Sequence, residues 1–129
     1  MLEITNKLGN IRFSKSVITK IAEDFVKNSE GRVLLMNYRG KYKNFMPGVD
    51  TDALTVKDEE DGLNIEVRIA VRFGTSISDV CREMLEYMSS EVERVMMEKP
   101  VLIRVIVTAV VSKEIAMRHI VFEKRENES

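Results

Sequence analysis

The chain has 129 residues, of which 44% are hydrophobic and 32% charged, and it carries a formal net charge of -1 at pH 7. This length allows one folded domain with its own core, and the near-neutral charge excludes a general electrostatic attraction to nucleic acids or anionic membranes. The single cysteine excludes an internal disulfide, and together with the eight methionines it favours a reducing, cytoplasmic environment.

The first half of the chain predicts a helix, a strand and a loop. An apolar stripe at helical spacing follows Ser14 and Ser16, either of which can cap the helix, and Gly31 can end it in the left-handed conformation. The apolar run that follows predicts a strand over 32–38. Residues 39–52 contain two glycines, a Pro-Gly turn signal and several charges, so we predict a loop there.

The middle of the chain predicts a β-hairpin. Residues 53–57 form its first strand, and the acidic run 58–62 forms its turn. The second strand, 63–73, is the clearest pattern in the sequence, because its odd positions are apolar and its even positions are mostly polar. We expect the odd side chains to face the core: Leu63, Ile65, Val67, Ile69, Val71 and Phe73.

The last third of the chain predicts a second helix and a further strand. Ser78 is a natural cap for a helix that runs to about Lys99, where Pro100 stops it. The strand over 101–111 has an apolar odd face and an even face that is unusually apolar for a solvent side. After 111 the pattern weakens, so we expect a short helix or strand there and a frayed end over 123–129.

This order of elements, α-β-β-β-α-β with a short C-terminal element, predicts an α+β fold. Two amphipathic helices cover one face of a small mixed β-sheet in a two-layer sandwich. We expect a single domain over 1–129, with its core at about 9–111 and a variable tail at 112–129. The N-terminus lacks the pattern of a secretion signal, and no apolar run approaches the roughly 20 residues that cross a bilayer.

The residues that carry chemistry are sparse and scattered. His119 is the only histidine and Cys81 the only cysteine, so a Cys–His nucleophilic pair requires that folding bring two distant residues together. The acidic run 58–61 lacks the spacing of a calcium loop, and the turn at 74–76 lacks a phosphate-loop fingerprint. We therefore predict no enzymatic activity, no catalytic residue, no cofactor and no metal site.

The first candidate interaction site is a segment in which cations and aromatic residues alternate. That pattern is typical of surfaces that bind single-stranded nucleic acid, but a solvated loop shows it as well. Binding of single-stranded RNA or DNA is therefore the alternative function. The residues concerned are Tyr38, Arg39, Lys41, Tyr42, Lys43 and Phe45.

The second candidate site is the outer face of the predicted sheet. Arg68, Arg72 and Arg104 are expected to line it, with Glu66 reducing its positive charge. Ile106 and Val110 fall on the outer side of the last strand, and exposed apolar residues mark contacts with partner proteins. The alternative is that the C-terminal segment folds over these two side chains.

Four segments occur in a fixed order along the chain: GNIRFSKSVITKIA at 9–22, EGRV at 30–33, DGLNIEV at 61–67 and VRFGTSI at 71–77, the last followed by a helix and a Val-rich strand. Together they resemble the alkaline shock protein and Gls-type family of bacterial envelope stress response proteins. The resemblance implies a non-enzymatic cytoplasmic protein, a homo-oligomer that a separate membrane-anchored protein partner holds near the membrane, with no insertion of its own. The 39–52 loop and the tail after 111 depart from the family pattern, which leaves the identity of the partner open.

Overall fold

The computed structural model describes residues 7–36, 42–43, 53–112 and 115–126. These residues form two helices and six strands. In chain order the elements are α1 (Lys7–Lys27), β1 (Val33–Met36), β2 (Tyr42–Lys43), β3 (Leu54–Glu59), β4 (Gly62–Arg72), α2 (Ile77–Met96), β5 (Leu102–Val111) and β6 (Ile115–Arg125).

The strands form one mixed sheet in the order β2-β1-β4-β5-β6, and β3 also pairs with β4. β4 lies at the centre, because β5 pairs with it in parallel on one side while β3 and β1 pair with it, end to end, on the other. α2 is the crossover that a parallel β4–β5 pair requires. The predicted α+β class, the mixed sheet and the hairpin of β3 and β4 are confirmed.

Burial of the odd side chains of β4 explains why this strand is central. Five of them, from Leu63 to Val71, are at most 4% exposed and pack in the main core. Their burial contributes roughly 10 kcal/mol before the entropy of ordering the chain is subtracted. The prediction for the sixth residue is wrong, because Phe73 lies one residue beyond the strand and is 73% exposed. The chain turns there through Gly74, whose φ of 93° ends the alternation.

Both helices pack on the same face of the sheet and close this core. The buried stripe of α1 is the predicted one, but the helix begins at Lys7 rather than at Ser14 or Ser16. Leu8 and Ile11 continue the helical spacing of Ile18 toward the N-terminus, so the serines lie inside the helix.

The boundaries of α2 also differ from the sequence prediction. Its cap is Ser76 rather than Ser78, because the Ser76 side chain accepts a hydrogen bond of 3.4 Å from the backbone N–H of Asp79. The helix ends at Met96, before the expected Lys99. Met97 adopts a left-handed conformation with φ 59° and donates its N–H to the Glu93 carbonyl, which terminates the helix before the proline acts.

The C-terminal segment is a long strand rather than a weak, frayed element. β6 pairs antiparallel with β5 from Val111 back to Leu102, and the Glu126 N–H donates to the Val101 carbonyl just beyond the strand. The predicted fraying from 123 is therefore wrong through residue 126. Ile120 and Phe122 pack against the core, which gives β6 an apolar side on the helix-covered face.

Candidate interaction surface

The open face is the side of the sheet that neither α1 nor α2 covers. The odd side chains of β4 point to the helices, so its even side chains point away from them. The register places residues of β5 and β6 beside them on the same face. The open face is defined here by Glu66, Arg68, Arg104, Ile106, Val121 and Glu123.

A ladder of charged side chains crosses the open face from β4 to β6. Glu66 accepts from Arg68 Nη2 at 2.6 Å with one carboxylate oxygen and from Arg104 Nη1 at 3.1 Å with the other. Arg104 also donates its Nε to Glu123 at 2.6 Å. The hydrogen bond to Glu123, with a smaller contribution from Glu66, raises the pKa of Arg104 above its ordinary value. Every member of the ladder has a partner, so the arginines do not form a free basic stripe.

Arg68 and Arg104 thus lie on the open face, as the sequence predicts, but they are bound to carboxylates. The side chain of Arg68 is only 15% exposed, and its Nη1 also lies 3.4 Å from the Thr55 hydroxyl on β3. The ladder therefore links four adjacent strands. Sequence alternation identifies Glu66 and the arginines, whereas Glu123 was missed because its segment was predicted to be frayed.

The apolar part of the open face differs from the expectation. A β-bulge at Thr108 shifts the register between Val107 and Ala109, so residues beyond it change faces. Ala109 therefore packs beside Ala70 on the open face, while Val110 pairs with the buried Val71 on the helix-covered side. The placement of Val110 on the outer face was wrong.

Ile106 does lie on the open face, but it is only 8% exposed. It pairs with Arg68 on one side and Val121 on the other. The described part of the C-terminal segment does not fold over Ile106, because β6 lies beside β5 in the same sheet and extends the face. Val121, on the same face, is an exposed apolar side chain at 39% exposure.

Arg72, the third predicted arginine, is exposed at the end of β4, away from the ladder. It lines a recess of about 490 Å³ at the carboxyl ends of the parallel strands β4 and β5, beside the start of α2. Sequence reasoning missed this recess because Arg118, on β6, completes it. The lining residues are Arg72, Phe73, Gly74, Thr75, Ile77, Val110, Ser112 and Arg118.

The groove between the two helices is bordered by charges that pair with one another. Phe25 and Tyr87 contact each other at its base with ring centroids 5.6 Å apart. At its rim, Glu83 pairs with Arg32 at 3.2 Å. One helical turn earlier, Asp79 pairs with Arg82 at 3.5 Å. These internal contacts make the groove part of the packing between the helices.

The predicted nucleic-acid segment falls mostly outside the described residues. Tyr38, Arg39, Lys41 and Phe45 lie there, so their prediction stays untested. Tyr42 and Lys43 form β2 and pair with Met36 and Leu35 of β1, so the predicted 39–52 loop contains a short strand.

Cys81 and His119 are not brought together. Cys81 is completely buried, and burial raises the pKa of its thiol to about 12, whereas His119 is exposed on β6. Within 7–36, 42–43, 53–112 and 115–126, no group of three or more His, Cys, Asp or Glu residues is arranged to hold a metal ion.

A comparison with models of known protein families identifies the family of this chain. The model of the alkaline shock protein 23 family, described as having a cell envelope-related function, matches residues 3–112. The chain belongs to this family. No curated protein and no solved structure matches it significantly. Neither described helix has the length and apolar character that crossing a bilayer demands.

The family match ends just after β5, so β6 lies beyond it. In this alkaline shock protein 23 family member, the strand outside the match nevertheless supplies Glu123 to the ladder and Val121 to the apolar part of the open face. The outer third of the candidate surface is therefore built from a segment that lies beyond the family match.

Proposed function

We propose that the protein is a non-enzymatic assembly or adaptor protein of the cell envelope. It self-associates through the open face and the neighbouring edge of the sheet, and a membrane-anchored protein partner recruits it from the cytoplasm to the membrane. The observation that carries the proposal is the open face, a sheet surface that neither described helix covers, in a member of an envelope-related family.

The composition of the open face suits contact with protein better than contact with nucleic acid. Its arginines are already bound to carboxylates, so they release few counterions on binding a phosphate backbone. Val121 adds an exposed apolar side chain on β6, a strand whose outer backbone groups can pair with another chain. Such a surface combines apolar contact with an ordered polar frame, as protein interfaces do.

Self-association is tested by sedimentation velocity from micromolar to millimolar protein. We expect the sedimentation coefficient of the wild type to rise with concentration. We expect Val121→Glu to weaken the self-association about tenfold or more, because it places a charge in the apolar part of the contact. Val95→Glu is the matched control, since Val95 is similarly exposed at 42% but lies on α2. A wild type that stays monomeric throughout contradicts self-association.

Recruitment is tested in the native cells by fractionation. We expect the protein in the membrane fraction, and we expect it to be released when membrane proteins are digested from the cytoplasmic side of inverted vesicles. Undiminished binding to protein-free lipid vesicles contradicts recruitment by a protein partner.

A further inference from the structure

His119 lies on the side of β6 that faces away from the helices. Its neighbour Ile120 packs against the core, and its other neighbour, Arg118, lines the recess beside Ile77 of α2. Because successive side chains of a strand point to opposite faces, His119 points to the same side as Val121. These two exposed side chains are two residues apart, or roughly 7 Å. His119 therefore borders the apolar part of the open face.

The described strand beside His119 presents neutral groups to it. β5 pairs with β6, and the break in their register leaves Thr108 at the level of His119. The Thr108 hydroxyl donates to the Ile69 carbonyl at 3.2 Å, so it is engaged within the sheet. The nearby open-face residue of β5, Ile106, is apolar and pairs with Val121. A neutral imidazole suits contact with such surroundings better than an imidazolium does.

The carboxylates on this side of β4, β5 and β6 are already bound to arginines. Glu66 pairs with Arg68 and Arg104, and Glu123 pairs with Arg104 at 2.6 Å. An imidazolium from a facing copy therefore meets no unpaired carboxylate on the described part of these three strands. The charged side chains on this side of the three strands are Glu66, Arg68, Arg72, Arg104, Glu123 and Arg125.

We propose that His119 makes self-association through the open face depend on pH, with protonation weakening the contact. This inference rests on the proposed self-association and adds its regulation. Histidine is the side chain whose charge ordinarily changes between pH 5 and 8, and His119 is the only histidine of the chain. Protonation places a charge without a partner beside Val121, and moving such a charge out of water opposes association. Neutralisation at higher pH removes that cost and tightens the contact.

The symmetry of the contact increases the effect. Two copies that meet through the same face form an isologous contact, so each copy contributes its own His119. Two protons are therefore taken up for every contact that weakens, and the response to pH is steeper than for a single group.

The proposal is tested by sedimentation velocity at about pH 5.5 and about pH 7.5, at one salt concentration. We expect the dissociation constant of the wild type to be about tenfold or more higher at the lower pH. His119→Gln stays neutral, so its dissociation constant should be nearly the same at both pH values and close to that of the wild type at the higher pH. His119→Lys is charged at both pH values and should associate weakly at both.

The matched control adds a cation elsewhere on the surface. Ser90→Lys places it at an exposed position of α2, on the helix side of the molecule, and should leave the dissociation constant and its pH dependence unchanged. Circular dichroism and thermal unfolding at both pH values establish that each variant is folded, and His119→Asn serves as a second neutral variant.

The outcomes separate this proposal from the proposed function. If the wild type associates equally at both pH values, or if the neutral variants keep its pH dependence, the role of His119 is refuted while self-association stands. Tighter association at the lower pH also refutes it, because the imidazolium then has an anionic partner. If the wild type is monomeric at the higher pH up to millimolar concentration, both proposals are refuted.

Discussion

The replacement Glu66→Ala is the sharpest test of the ladder on the open face. Glu66 binds two arginines at 3.1 Å or less, Arg68 on its own strand and Arg104 on β5. Removing it takes away the carboxylate that the Arg68 guanidinium contacts at 2.6 Å, and the Arg68 side chain is only 15% exposed. A partly buried charge without its partner destabilises the folded state more than an exposed one.

The expected loss follows from the two hydrogen bonds. A hydrogen bond to a charged group contributes roughly 1.5–3 kcal/mol when it is buried. The Glu66 side chain is 26% and the Arg104 side chain 34% exposed, so solvent reduces the sum. We expect Glu66→Ala to lower the free energy of unfolding by about 2–3 kcal/mol. For a urea dependence of about 2 kcal/mol per molar, the midpoint falls by roughly 1–1.5 M.

Urea unfolding followed by circular dichroism measures this loss at a protein concentration where the chain is monomeric. Glu91→Ala is the matched control, because its ion pair with Arg94 is as short, at 2.8 Å, but Arg94 is 69% exposed. A double-mutant cycle of Glu66→Ala with Arg104→Ala isolates the pair from other effects of truncation. If Glu66→Ala is no more destabilising than Glu91→Ala, or if the cycle shows no coupling, the ladder does not hold the open face in place.

Two further predictions concern stability. Gly62→Ala should lower the free energy of unfolding by about 3 kcal/mol or more, because an added Cβ lies 2.7 Å from Val101 Cγ2 and φ is 126°. Gly74→Ala is the control, because an added Cβ there meets no atom within 4 Å. If urea unfolding shows an equal loss for Gly74→Ala, the clash with Val101 is not the cause. Burial raises the Cys81 pKa from 9.0 to about 12, so the unfolded thiol ionises first. Between those pH values the free energy of unfolding of the wild type should fall by about 1.4 kcal/mol per pH unit relative to that of Cys81→Ala. Parallel curves of unfolding free energy against pH for the two proteins contradict this.

The centre of the fold follows from the sequence because local and tertiary signals agree there. The alternation of 63–73 indicates a strand with one buried face, and an acidic turn precedes it. Those signals identify the hairpin and place Arg68 on the open face, and the alternation of 101–111 places Arg104 there, as the structure shows. Both Ser76 and Ser78 are suitable caps for α2. Ser76 is the cap in the structure, because the helix then begins at Ile77, which packs against the core.

The outer part of the surface does not follow from alternation alone. A strict period of two places Val110 beside Ile106, but one extra residue at Thr108 reverses the faces beyond it, and nothing in the composition of the strand marks the bulge. The length of β6 is also not evident from the sequence pattern, for a related reason. Its apolar residues on the core side, Ile120 and Phe122, are separated by one residue and flanked by charges, so the signal resembles a tail.

The position of β6 divides the open face into two parts with different origins. Glu66, Arg68 and Arg104 come from the segment that matches the family, while Val121 and Glu123 come from the strand after it. Substitutions on an edge strand change what the surface presents without altering the central β4–β5 pair or the helix-covered core. The open face therefore joins strands that lie within the family match to an edge strand that lies beyond it, so substitutions at Val121 or Glu123 change this surface while leaving the matched strands as they are.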